Sequence, residues 1–169
     1  VVKFDPNNLY YGDDVKQEQD SIKAFSKKIQ IGKKVSNSEF MIIARIESLI
    51  LNKTVSDAFK RAKAYISAGA DGIMIHSKQN TPKEIFKFSE IFKKKFPNIP
   101  LIAVPSSYNK VTEEQLMKNG FNVVIYANHL LRASYPAMKE TITSILKNKR
   151  SYEIEKKIIS EYYQRCFGE

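Results

Sequence analysis

Four apolar runs are the strongest constraint on what this chain can fold into. They are Phe40–Ile46 (FMIIARI), Gly72–His76 (GIMIH), Ile99–Val104 (IPLIAV) and Asn122–Ala127 (NVVIYA). Each is short and continuous rather than alternating, the pattern of parallel strands covered on both faces. Between them lie segments with helical period and explicit start signals. Thr54-Val-Ser-Asp57 reads as an acidic capping box, and Thr112-Glu-Glu-Gln115 repeats that logic. Thr81-Pro82-Lys-Glu84 offers a cap, a first-turn proline and a glutamate at the third helical position. Val55, Ala58, Phe59, Ala62, Tyr65 and Ile66 share one helical face. Gly69 and Gly120 each follow a helix and precede a buried run, where left-handed backbone ends helices. Further helices are expected over Asp14–Lys34, Leu130–Leu146 and Tyr152–Tyr163.

Strand–helix alternation implies right-handed crossovers and a parallel sheet. Four such units could form a small open sheet, or half of a (β/α)₈ barrel, which typically needs roughly 250 residues. The irregular polar opening VVKFDPNNLYYGD, which reads as a loop leaving a strand, favours the half-barrel. The expected fold class is therefore α/β: the C-terminal half of a (β/α)₈ TIM-type barrel, with four parallel strands alternating with helices, plus a terminal helix. Residues 1–148 form the half-barrel, with an irregular polar segment at 1–13, and residues 149–169 form the C-terminal helix. The chain opens on Val1 without an initiator Met, so position 1 is expected not to be the biological start.

Barrel active sites lie at the C-terminal ends of strands. The first run is followed by Arg45-Ile-Glu47-Ser48, the second by His76-Ser-Lys78, the third by Pro105-Ser-Ser-Tyr108 and the fourth by Asn128-His129. Polar, chargeable groups are thus expected on one rim. Arg45 and Glu47 are two apart in a strand and share a face, so Glu47 can orient Arg45. Ser106, Ser107 and Tyr108 are candidates for pocket lining. His129 is read as capping or packing beside Asn128, outside the site.

The net charge is +10, with 28 Lys and Arg against 18 Asp and Glu. The lysines are scattered among glutamates and apolar anchors, which reads as a solvated surface. No basic–aromatic stripe suggests nucleic acid. No run approaches the roughly 18 apolar residues of a membrane span. The single cysteine, Cys166, allows no internal disulfide, which points to a reducing, cytoplasmic setting. No Asp/Glu cluster reads as a magnesium site of its own.

The stretches IARIES, AGADGIMIHSK, VPSSYN and VIYANHLLRASYPAM resemble the later half of phosphoenolpyruvate mutases, in the isocitrate lyase superfamily. GDDVKQEQDSI resembles the segment after that family's gating loop, and the similarity runs from about Asn8 to Ile159. The resemblance implies a (β/α)₈ barrel whose last helix swaps between subunits, so a homo-oligomer with 149–169 docking on another subunit. It implies the conversion of phosphoenolpyruvate to phosphonopyruvate, with Mg²⁺ bound and a small anionic substrate as partner. By the same resemblance Arg45 grips the phosphoryl group, His76 lies near the transferring group, and Asn8 is the gating-loop asparagine that contacts substrate. Glu47 and Ser106 are the remaining candidates for substrate binding. The family loop reads lysine, any residue, asparagine, serine, whereas Pro6-Asn7-Asn8-Leu9 stands here. The family's magnesium-linked and reactive aspartates belong to earlier strands, so this chain alone is expected to be inactive. A phosphonopyruvate hydrolase or a carbon–carbon lyase of the same superfamily, or a non-catalytic fragment, is the alternative. The lyases tend toward Arg-Thr-Asp where Arg45-Ile-Glu47 stands, which favours the mutase.

Overall fold

The computed structural model describes residues 18–155, 157 and 158. Along them the order is α1 (Ile22–Val35), β1 (Ile43–Ile46), α2 (Val55–Ser67), β2 (Gly72–Ile75), α3 (Lys83–Lys95), β3 (Leu101–Ala103), α4 (Glu113–Lys118), β4 (Val123–Val124) and α5 (His129–Asn148). Residues 152–155, 157 and 158 are also helical. Two compact units divide the chain, 1–126 and 127–169.

The first unit is built on one sheet of order β1-β2-β3-β4. Every pairing is parallel, with Ile43 opposite Gly72, Ile73 opposite Leu101 and Ile102 opposite Val123. Strand order follows chain order and never reverses. A doubly wound sheet reverses at its switch point, whereas a barrel does not. The sheet is therefore four consecutive units of a (β/α)₈ barrel.

Its two faces differ, which the continuous runs did not foretell. Ala44, Ile46, Ile73, Ile75, Leu101 and Ala103 point one way and are fully or almost fully buried. They meet Ala58, Ala62 and Tyr65 of α2 and Ile85, Phe88 and Phe92 of α3 in a single apolar cluster. The opposite face is partly open: Arg45 is exposed, Met74 is half-buried and Val123 is 47% exposed. One face thus holds the fold together and the other is available for chemistry. The strands are also shorter than the apolar runs. Phe40 and Met41 lie outside β1 and are exposed.

Helix starts follow local chemistry in three cases. The Ser21 hydroxyl accepts from Ala24 N at 3.1 Å and the Thr54 hydroxyl from Asp57 N at 3.1 Å. Thr112 and Gln115 complete a reciprocal capping box. The expected helix over Asp14–Lys34 begins only at Ile22, because Ser21 caps it and Gln19 and Asp20 are held by other elements. Its expected first turn, 14–17, lies outside the described residues. At α3, Pro82 takes the cap position in place of Thr81, and no side chain caps the helix. Glu84 bonds Ser77 instead. Gly69 and Gly120 adopt positive φ, +105° and +83°, as the helix ends require.

The N-terminal ends of the strands are stapled by charged side chains. Lys93 Nζ donates to the Ile99 carbonyl (2.8 Å) and to Asn122 Oδ1 (2.9 Å), and Asn122 Oδ1 also accepts from Leu101 N. Asp71 accepts from Ile42 N at 2.7 Å and pairs with Lys33 at 3.0 Å. The Ile42 bond holds the Asp71 carboxyl below its usual range; burial opposes this and Lys33 reinforces it. A depressed carboxylate adds stability that is present above its unfolded pKa and fades as pH falls through the folded value. Asp71→Asn should therefore cost on the order of 1 kcal/mol at neutral pH, allowing for solvent screening, and almost nothing at the foot of the acid transition. Urea unfolding across pH reads this; a cost independent of pH would contradict it.

Candidate active site

The C-terminal ends of β1 and β2 carry the cluster. The pairing places Arg45 opposite Met74, so Arg45, Glu47, Met74 and His76 lie on the same, open face. Arg45 Nε donates to Glu47 Oε1. Arg45 Nη2 lies 3.1 Å from His76 Nδ1, and that nitrogen lies 3.9 Å from Glu47 Oε2. Glu47 is 4% exposed, while the Arg45 side chain is 52% exposed. A buried carboxylate thus sits beneath a cation that faces solvent.

Burial pushes the Glu47 carboxyl up. Hydrogen bonding to His76, together with the charge and hydrogen bond of Arg45, outweighs it and holds the group below the usual carboxylate range. Glu47 is therefore an anion, with Oε1 accepting from Arg45 and Oε2 facing the His76 ring at 3.9 Å. Arginine has only donors, so a neutral His76 accepts at Nδ1 and carries its proton on Nε2. With Nδ1 accepting, the cluster offers two kinds of donor to an incoming anion: the free guanidinium N–H groups of Arg45 and Nε2–H of His76. A planar, permanently charged guanidinium suits paired phosphate or carboxylate oxygens.

The loop after β2 is fixed from below. Ser77 is fully buried; its hydroxyl donates to Glu84 Oε2 at 2.9 Å and accepts from Gln79 N at 3.1 Å. This ties the residue after His76 to the start of α3. After β3, Ser106 is exposed, and its side chain makes no hydrogen bond to Arg45, Glu47 or His76. Tyr108 enters the core rather than lining a pocket. It is 1% exposed, its hydroxyl has no hydrogen-bond partner among the described residues, and burial pushes that hydroxyl up to about 12 despite the nearby Val104 backbone. Asn8 lies outside the described residues. Asn128 and His129 belong to the second unit, where Asn128 precedes the first residue of α5 and its carbonyl accepts from Arg132 N.

Sequence reasoning missed a polar cluster behind β1. Ser48, fully buried, donates to Asp57 Oδ2 at 2.7 Å, and Arg61 Nε donates to the same oxygen at 3.2 Å. The i, i+4 spacing of Asp57 and Arg61 was a visible signal. Its link to Ser48 was not.

Among the described residues, no group of three or more His, Cys, Asp or Glu side chains could hold a metal ion. The one carboxylate in the cluster, Glu47, is taken up by Arg45 and His76, so these residues do not fit a magnesium site. No helix among the described residues is long and apolar enough to cross a membrane.

The phosphoenolpyruvate phosphomutase family profile matches residues 8–146. The chain is 39% identical over 148 residues to a phosphoenolpyruvate phosphomutase of Tetrahymena pyriformis, covering 86% of this chain and 48% of the relative. It is 34% identical over 152 residues to a phosphonopyruvate hydrolase of Variovorax sp. (strain Pal2), covering 89% and 51%. The crystal structure of a phosphoenolpyruvate phosphomutase from Streptomyces platensis subsp. rosaceus superposes with a TM-score of 0.74 at 34% identity, covering 88% of this chain and 52% of that one. The chain spans about half the length of the curated relatives it matches. A singly wound parallel sheet and a profile match over most of the sequence agree: the chain belongs to the phosphoenolpyruvate phosphomutase family.

Proposed function

We propose that this chain supplies the anion-gripping half of an isomerase that converts phosphoenolpyruvate to phosphonopyruvate. The observation that carries the reading is the Arg45–Glu47–His76 cluster on the open face of the sheet. Arg45 binds the phosphoryl oxygens, and His76 donates from Nε2 to an oxygen that gains charge as the phosphorus moves. Glu47 does not touch the anionic substrate, which its charge would repel; it holds Arg45 and His76 in place. Asn8, on resemblance, and Ser106, by its place after β3, are secondary candidates for substrate contact.

Magnesium accompanies this activity in the proposal. A phosphonopyruvate hydrolase with a TM-score of 0.70 and 31% identity was crystallised with oxalate and Mg²⁺. The ion's ligands belong to strands that the resemblance places before this chain, and no step is assigned through it here. Turnover accordingly needs those strands, and the 169 residues alone bind without converting. The assembly is a homo-oligomer in which 149–169 dock on another subunit, in keeping with the exposed apolar residues of α5, and its setting is the cytoplasm. The hydrolase is the second reading, favoured by the 34% identity to the Variovorax enzyme.

Phosphorus NMR separates these readings, because ester and phosphonate signals are far apart. The chain is mixed with phosphoenolpyruvate or phosphonopyruvate, with magnesium. Line broadening of either ligand that is lost in Arg45→Ala supports the grip. Interconversion by the chain alone would refute the half-enzyme assignment, and release of inorganic phosphate from phosphonopyruvate would favour the hydrolase. No interaction with either anion would sink the whole reading.

A further inference from the structure

The cluster behind β1 bears on the rim in a way that the family resemblance does not supply. Glu47 and Ser48 are consecutive, but they face opposite sides of the chain. Glu47 reaches Arg45 and His76 on the open face. Ser48 is fully buried and reaches Asp57 Oδ2 in the first turn of α2. The turn between them and α2 is closed by backbone bonds, Leu51 N to the Glu47 carbonyl (3.1 Å) and Lys53 N to the Ser48 carbonyl (2.8 Å). Asn52 supports it with a left-handed φ of 55°. The Glu47–Ser48 step is thus gripped by its backbone on one side and by the Ser48 hydroxyl on the other.

Asp57 is itself held. Burial pushes its carboxyl up, but the Ser48 and Arg61 hydrogen bonds outweigh this and keep it ionised. Arg61, 6% exposed, makes three bonds with its guanidinium: Nε to Asp57 and Nη1 to the Tyr65 hydroxyl (3.1 Å), both on its own helix, and Nη1 to the Asp20 carbonyl (2.8 Å) just before α1. Gln19 completes the clamp, donating to the Ser48 hydroxyl and accepting from Lys53 Nζ, both at 3.3 Å. Asp57 and Arg61 touch neither Arg45 nor His76. A stability role alone would not require the cluster to end on the residue next to Glu47. A lost partner would leave a buried hydroxyl or guanidinium unpaired and let the step rotate.

We propose that Asp57 and Arg61 are positioning residues for the Arg45–Glu47–His76 cluster, acting through Ser48. This rests on the reading of that cluster as an anion site, but it has a readout independent of that reading. The nitrogen-15 resonances of the His76 imidazole report its contacts with Arg45 and Glu47 at a fixed pH. Inorganic phosphate is the binding probe, titrated by calorimetry on the 169-residue chain.

Asp57→Asn should move the His76 resonances and weaken phosphate binding roughly three- to tenfold, as coupled neighbours do. Ser48→Ala should reproduce both changes, and the double variant should add little. Arg61→Lys, which keeps a charge but loses the fork, should give a smaller shift of the same sign. Lys93→Met is the control: it removes the staple at the far end of the sheet and lowers the melting temperature without touching this cluster. Unmoved His76 resonances in folded Asp57→Asn and Ser48→Ala would overturn the proposal. So would equal shifts in Lys93→Met. If the wild-type chain binds no phosphate, the anion-site reading falls, and the His76 resonances alone decide the coupling.

Discussion

On the proposed function, Arg45→Ala is expected to lower kcat/KM for phosphoenolpyruvate by roughly 10²–10³-fold in a protein that joins this chain to the rest of a barrel, or about 2.7–4 kcal/mol of transition-state stabilisation. The loss is large because the side chain brings a full charge and two parallel donors to one anion. It also frees Glu47, leaving a buried carboxylate short of its cation. Arg45→Lys should recover only part of the activity, since an ammonium cannot fork. His129→Ala is the comparison. His129 opens α5 in the other unit, and its replacement should alter stability rather than turnover. Equal losses for the two alanine variants would mean that the pocket has been misplaced.

The second large effect concerns association. The 169-residue chain should self-associate in a manner that sharpens with salt. In the second unit Leu131, Tyr135, Met138, Ile142 and Ile145 repeat at helical spacing on α5, and all are exposed. In the first unit Val123 and Ile125 are exposed on the open side of the sheet, and β1 and β4 are its two edge strands. Uncovered apolar stripes and free strand edges both recruit other chains. The net charge of +10 opposes this, but the repulsion reaches only about 8 Å at physiological ionic strength. Sedimentation velocity should show a sedimentation coefficient that rises with protein and salt concentration. A monomer under every condition would show that these surfaces need no partner.

How far the sequence could be read depended on the distance over which each interaction acts. Thr112 and Gln115 are three residues apart and bond each other, so their capping box was visible as text. Thr81, Pro82 and Glu84 had the same spelling, but Glu84 was drawn to Ser77 and the cap did not form. Arg45 and Glu47 could be placed on one face by strand alternation alone. Their junction with His76 depends on the register that sets Arg45 opposite Met74, which no local pattern encodes. The Arg61 bond to the Asp20 carbonyl was further still from view, because a backbone acceptor has no letter in the sequence. Tyr108 looked like a pocket residue from its polar company, yet its ring supplies the core with bulk.

The sheet's order has a further consequence, for how the chain acquires its structure. Ile43 pairs with Gly72, Ile73 with Leu101 and Ile102 with Val123, so every strand finds its partner in the next unit to be made. Among the four described strands, none pairs outside its neighbours in chain order. Each pairing closes a crossover of one helical unit, a shorter loop than pairing the first strand with the last would need, and loop-closure entropy grows with length. A chain emerging from the ribosome can therefore add one strand and one helix at a time to a sheet already begun, and the edge left open at each stage is the one that the next unit covers.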